Sequence, residues 1–429
     1  MAAPPPDPPS ADDAPDVSAE VRELIDRLAA LPRAPGSPGE AKAAELFAAA
    51  LREAGARAEV QPATYLPGYA APIGALCGLA TLTGLATVLR GGRRGRGRRR
   101  RGTPTTGTAV RQPGAAALAT LIALAIADDV SNALRLVRRL AGPRPTQNVV
   151  AEIGDPAAPR TLVILGHHDA APTGLIFSDD LQMWAGRRCP GLIERMDTGL
   201  PLWWAVILGP LLLGLGAWRG QRSLQLAGTL WSAIDSAAFL DIAASPTVPG
   251  ANDNLSALGA ELGVARRLAD SPIPGLRVLL VSCGAEEVIQ GGINTFVRRH
   301  LAELDPHSTW VLNLDTVGSP ELVMLEGEGA LLMEDYHHRP FRELIARVSD
   351  GAGAPLRRGL RARNSTDAVI PSRAGFPTAT LTSVNRAKAL THYHKLSDVP
   401  ENLHWRTIAH TILVCELVAR ELATNPWLS

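Results

Sequence analysis

The chain has 429 residues, enough for one large domain or two ordinary ones. Lys and Arg number 43 against 42 Asp and Glu, so net charge gives no reason to expect a nucleic-acid partner, and none is expected. The four cysteines, Cys77, Cys189, Cys283 and Cys415, include no C-x-x-C pair and suggest neither a disulfide framework nor a thiolate zinc site.

Residues 1–17 are rich in proline and acid, with neither a basic start nor an apolar stretch; they read as a disordered tail, not a secretory signal. Order begins at residue 18, with Val21, Leu24, Ile25 and Leu28 at helical spacing. "SPGE" at 37–40 opens a second helix, with Ser37 as N-cap, Pro38 in the first position and Glu40 closing a capping box. This helix runs through Leu46, Phe47, Ala50 and Leu51 to Gly55, and the strand "ARAEVQP" follows.

Residues 69–89 carry no charge, long enough as a helix to cross a hydrocarbon core of about 30 Å. Eight arginines between Arg90 and Arg101 form a basic tip, and a shorter apolar run, 114–127, returns to Asp128 and Asp129. The pattern recurs: 200–218 is uncharged, Arg219 and Arg222 make the tip, and the return is interrupted by Asp235 and Asp241. Two apolar hairpins result, each with a strong outgoing arm and a weaker return arm. The return-arm aspartates are expected either at a membrane surface or facing a partner helix. The expected organisation is a tail at 1–17, one domain in three pieces (18–68, 140–199 and 243–429), and hairpin insertions at 69–139 and 200–242.

Without the hairpins, an alternating α/β pattern remains. Strand candidates are "NVVAEI", "TLVILG", "LRVLLVSC", "WVLNLD", "ELVMLE" and "TATLTS", with helical segments at 253–268, 293–304, 340–349 and 403–422. This predicts an α/β fold of three layers, helix, mostly parallel sheet, helix, whose ligands gather at the carboxyl ends of the strands.

Those ends are polar. "LVILG" leads to His167, His168 and Asp169; "TVPGANDN" places Asp253 before a helix; "LLVSCGA" leads to Glu286 and Glu287; "VLNL" ends in Asp315; "LTHYHKLSD" supplies Tyr393 and His394. Each has an ordinary structural reading alone: a helix cap for Asp253, a turn for Asp315, solvated loop charges for the glutamates. Their coincidence at successive strand ends favours a nitrogen and oxygen ligand set suited to zinc. Cations would also make two adjacent carboxylates tolerable.

These segments resemble the co-catalytic dizinc exopeptidases, the family of bacterial leucyl aminopeptidases, glutamate carboxypeptidase, glutaminyl cyclase and transferrin receptor. "HHD" at 167–169 is similar to its H-x-D motif and "GANDNLS" at 250–256 to its G-A-x-D-x-x-S. Glu286 and Glu287 match its E-E pair, "NLD" at 313–315 its N-x-D, and Tyr393 and His394 its Y-H. The likeness covers about three quarters of the chain, including "STDAVIPSRAGFPTATL" and the opening "RAPGSPGEAKAAELFAAAL". It implies two zinc ions per chain: His167 and Asp315 on one, Glu287 and His394 on the other, and Asp253 bridging. It also implies Asp169 behind His167, accepting a ring N–H, and Glu286 as general base, taking a proton from the attacking water. Tyr393 would either steady the oxyanion or serve as a packed aromatic. Ala368 stands where many relatives have His. Asp253 follows His167 by 86 residues (253 − 167), a gap the second hairpin fills.

The resemblance implies a zinc aminopeptidase removing N-terminal residues from peptides at a membrane surface. A glutaminyl-cyclase-like acyltransferase and a non-catalytic receptor or scaffold are the alternatives. The hairpins imply an integral protein of the cell membrane, in contact with lipid; buried core helices of a soluble protein are the alternative. Arginine-rich tips favour the cytoplasmic face and so a catalytic domain outside, although this requires export of the N-terminal residues without a signal peptide.

Overall fold

The computed structural model describes residues 17–99 and 111–424. The tail expected at 1–17 lies outside these residues except for buried Val17, and so do Arg100 and Arg101 of the first tip. In chain order the strands are β1 (Arg57–Tyr65), β2 (Arg144–Gly154), β3 (Thr161–His167), β4 (Arg277–Cys283), β5 (Thr309–Leu314), β6 (Glu321–Glu328), β7 (Glu334–Asp335), β8 (Arg357–Ala362) and β9 (Thr378–Val384). The helices that concern the site are α1 (Ala19–Ala29), α2 (Pro38–Glu53), α3 (Ala70–Arg99), α4 (Pro113–Val130), α5 (Leu202–Arg219), α6 (Arg222–Ala244), α7 (Ser256–Asp270) and α8 (Trp405–Thr424).

The strands form one sheet in the order β1-β2-β4-β3-β5-β9-β6-β7, with β8 also on β6. The central run β4-β3-β5-β9 is parallel. The outer pairs β1–β2, β2–β4, β6–β9 and β6–β7 are antiparallel and β6–β8 is parallel, so the sheet is mixed. The link from β5 to β6, residues 315–320, is shorter than the dozen or so residues a crossover needs, so β6 returns antiparallel. The central strands are buried on both faces because helices cover both. Leu162, Ile164, Val278 and Leu280 pack under α1, α2, α7 and α8; Val163, Leu165, Leu279 and Val281 pack with Ile293 and Phe296 on the other face.

Among the described residues, four helices are long and apolar enough to cross a membrane: 70–90, 113–130, 202–219 and 222–244. The return arms therefore meet the length criterion as well as the outgoing ones. The two hairpins pack into one bundle, α3 along α6, α6 along α5, and α5 along α4. Backbones of α5 and α6 approach closely at glycines. A Cβ on Gly228 would fall 2.4 Å from the Leu213 amide nitrogen and 2.7 Å from the Gly209 carbonyl. Close packing through small residues suits helices whose surroundings give no hydrophobic drive to associate. The polarity is inverted relative to a water-soluble bundle: Leu82 and Leu230 are 65% exposed, while Gln225 and Ser232 are fully buried. So large an apolar exterior marks a lipid or protein contact surface.

The return-arm aspartates fall in different settings. Asp128 caps the bundle's exit, accepting from Leu134 N at 2.8 Å and Leu136 N at 2.7 Å. Asp129 forms a buried pair with Arg138 at 2.7 Å, and Asp241 accepts from Leu175 N at 2.8 Å. Asp235 faces inward among the helices, with Oδ2 buried and unpartnered.

Candidate metal centre

Strands β3, β4 and β5 are parallel, so their carboxyl ends open on one side of the sheet. His167 ends β3, the glutamate turn 286–288 follows β4, and Asp315 follows β5. Asp253 lies in the turn 251–255 that starts α7, and His394 arrives on the loop after β9 with φ 52°.

Asp253 sits between the two histidines. Its Oδ1 is 3.3 Å from His167 Nε2 and its Oδ2 is 3.3 Å from His394 Nε2. Glu287 Oε2 is 3.2 Å from His394 Nε2, and Glu286 Oε2 is 4.0 Å from His167 Nε2. One ligand atom each from His167, Asp253 and Glu287 lies within 4.8 Å of the others. Despite these short separations, no ring nitrogen of His167 or His394 makes a hydrogen bond, and Glu287 Oε1 has no partner either. Buried polar atoms are nearly always satisfied, so side chains that converge without bonding fit a cation between them. Asp315, near enough to feel the charges of Asp253, His167 and His394, accepts at Oδ1 from Thr316 Oγ1 at 2.7 Å.

The electrostatics point the same way. Burial, moderated by His394, raises Glu287 to about 7, and burial, reinforced by Asp253, raises Asp315 to about 6. Glu286 is pushed well above the usual carboxylate range by burial, which outweighs the pull of His167. Burial opposes the charge on His394, but Glu287 and Asp253 outweigh it and lift the imidazole to about 10. Asp253 is held below the ordinary range because both histidines overcome its burial. A buried cluster this acidic is strained without cations.

The supporting residues extend the sequence reading. Asp169 lies 3.4 Å from His167 Nδ1 without the ring N–H bond expected of it. Its stronger contacts are unexpected: Oδ1 accepts from Glu286 N and Oδ2 from Glu287 N, both at 3.0 Å, so it ties the glutamate turn to β3. Asp398 does the same for Asp253, accepting from Asn252 N at 2.7 Å and Asp253 N at 3.1 Å. Arg33, fully buried, donates to the carbonyls of His168, Pro249 and Gly250, linking the loops of His167 and Asp253. Glu40 departs from a simple capping box. Ser37 Oγ accepts from Glu40 N, but the Glu40 carboxylate takes Gly36 N at 2.8 Å, Thr146 Oγ1 at 2.9 Å and Ala285 N at 2.8 Å. It therefore braces the residue before Glu286. Arg33 and Glu40 both lie in the family-like opening segment; only the fold shows that they reach the site.

Tyr393 stacks on His394 with ring centroids 3.9 Å apart, and Phe177 meets the same imidazole edge-on at 4.4 Å. Tyr393 is thus packed against His394. Asp367, beside the anomalous Ala368, is buried with both carboxylate oxygens unpartnered, and burial raises it to about 8.

Residues 228–419 match the family model described as Peptidase family M28. No curated protein matches the sequence. Among solved structures, the chain is similar to a zinc aminopeptidase from Bacillus subtilis at 13% identity and TM-score 0.53, covering 97% of each chain. It is similar to the glutaminyl cyclase of Bacteroides thetaiotaomicron at 13% identity and TM-score 0.54, covering 95% of this chain and 99% of that one. An aminopeptidase from Aneurinibacillus sp. strain AM-1 is similar at 14% identity and TM-score 0.51, over 95% of this chain and 94% of that one. At these identities the likeness is one of fold. The family match adds the motifs from Asp253 to His394, and together they bear out the resemblance read from the sequence.

Proposed function

On the premise that the segment 228–419 is of the M28 peptidase family, we propose that this protein is a membrane-attached zinc aminopeptidase. The observation that carries the reading is Asp253 reaching a different histidine with each carboxylate oxygen, while both imidazoles lack hydrogen bonds. His167 and Asp315 would hold one ion, Glu287 and His394 the other, with Asp253 shared. When bound, paired ions lower the pKa of water and polarise a carbonyl.

The chain's own residues supply the rest. Glu286 is the carboxylate left without an ion to serve. It takes the proton of the attacking water and passes it to the leaving amine. Asp169 holds its backbone, Glu40 that of the preceding Ala285, and Asp398 that of Asp253. Tyr393 and Phe177 wall the site at His394 and limit how a substrate enters. Tyr393 is also the candidate donor to the developing oxyanion.

The bundle would cross the cell membrane, with arginine-rich tips on the cytoplasmic side and the peptidase body outside. The second hairpin leaves the body between His167 and Asp253, which brings the cleft to the bilayer surface. Peptides held at or released from membranes are the proposed substrates.

The experiment is a panel of aminoacyl chromogenic substrates, with and without chelator, alongside zinc content per chain. Chelator-sensitive hydrolysis with two zincs supports the peptidase. One zinc with cyclising activity favours the acyltransferase, and no zinc favours the scaffold.

A further inference from the structure

The connection leaving the first hairpin, residues 131–138, grips the turn that carries Glu286 and Glu287. Arg138 Nη1 donates to Val288 O at 2.7 Å and to Pro67 O at 3.0 Å. Arg135 Nη1 donates to Ile289 O at 3.0 Å, and Asn132 Nδ2 to Gln290 Oε1 at 2.9 Å. Every residue from 288 to 290 is therefore bonded to the foot of the bundle. The turn needs such support: Ile289 and Gln290 have φ of 67° and 51°, a region that L-residues avoid and a β-branched residue avoids most.

Gln290 passes this grip into the site. Its Nε2 donates to Ser365 O at 2.6 Å and to Glu286 Oε1 at 3.2 Å. The Ser365 carbonyl only accepts and the Asn132 amide nitrogen only donates, so the two ends of the Gln290 amide cannot be exchanged. One oxygen of Glu286 is thus held, and the other, Oε2, is the one 4.0 Å from His167 Nε2. Glutamate has several rotatable bonds, and anchoring one carboxylate oxygen removes most of the freedom that would dilute its reactive orientation.

We propose that Gln290 is a positioning residue for Glu286 and that Asn132, at the foot of the apolar bundle, sets Gln290 in turn. The insertion then does more than attach the enzyme: its exit segment aims the base. This rests on Glu286 being the general base, and it adds a role to residues that touch neither substrate nor metal.

The test uses the full-length protein in detergent and measures kcat, KM, zinc content and melting temperature. Gln290→Met keeps the side-chain length and removes the donor. A hydrogen bond to a charged group accounts for roughly 10- to 100-fold, so kcat should fall by about that factor with KM, zinc and melting unchanged. A role in packing alone would leave kcat intact, and kcat within twofold of wild type overturns the proposal. Asn132→Ala leaves the Ser365 bond in place and should cost roughly 3- to 10-fold in kcat. Because it acts through Gln290, the double variant should be no slower than Gln290→Met; additive losses overturn the relay. Should Gln290→Met misfold, Asn132→Ala alone decides: an unchanged kcat refutes the coupling. Failure of the base reading looks different, since Glu286→Gln would then stay active.

Discussion

Replacing Glu286 by Gln separates chemistry from structure at this site. The residue is 8% exposed, and glutamine keeps its length and one acceptor for the Gln290 amide. What disappears is a proton acceptor and a negative charge. General-base catalysis contributes ~10²–10⁴-fold, or about 2.7–5.4 kcal/mol of barrier at 1.36 kcal/mol per decade. The charge has the opposite effect on stability. Burial penalises the Glu286 charge, and repulsion by Asp367, Glu287 and Asp315 adds to this against the pull of His167, so a neutral amide relieves that penalty. Activity should therefore fall at least 100-fold while melting temperature holds or rises and zinc content stays at the wild-type level. Chromogenic turnover, metal analysis and thermal denaturation on one preparation provide the assay. A zinc-replete variant within tenfold of wild-type kcat would show that Glu286 is not the base.

Three further outcomes follow from the supporting structure. Asp129→Ala leaves Arg138 buried without its counter-charge and should destabilise the protein by about 3–5 kcal/mol, read by denaturant titration; a change below 1 kcal/mol would mean that Arg138 finds another partner. Glu40→Gln must turn an NH₂ toward the donors at either Ala285 N or Gly36 N and Thr146 Oγ1, at about 1–3 kcal/mol, with slower turnover as the Glu286 backbone loosens; unchanged stability and kcat would remove Glu40 from the site's support. In intact cells, with native cysteines replaced, Gly95→Cys should be shielded from an impermeant thiol reagent and Ser308→Cys should react. The reverse pattern would place the peptidase body in the cytoplasm.

The parts of the site that are local in sequence are readable there. His167, Asp253, Glu286, Glu287, Asp315 and His394 each follow a strand or open a helix, and short motifs carry them. The two hairpins are equally plain, since an uncharged run of helical length needs no tertiary context. What joins separate segments is not readable. Glu40 is a capping residue in sequence and a brace for Ala285 in the fold, because β2 and β4 bring residues 146 and 285 beside α2. Arg33 looks like a surface charge until it is found buried against the His168 and Gly250 carbonyls. The close approach of the second hairpin's two arms depends on Gly209 and Gly228 meeting across α5 and α6, which composition does not disclose. The reversal of β6 follows from a short link whose consequence appears only once β9 fills the place beside β5.

Zinc content per chain, measured on wild-type protein and on Asp253→Asn, addresses the metal centre most directly. Asp253 contacts both histidines, so the amide weakens both sites together, unlike a change at His394 alone. The expected result is two zincs in the wild type and loss of both metal and activity in Asp253→Asn. A wild type that binds no zinc, or an Asp253→Asn protein that retains two, would contradict a shared dizinc centre.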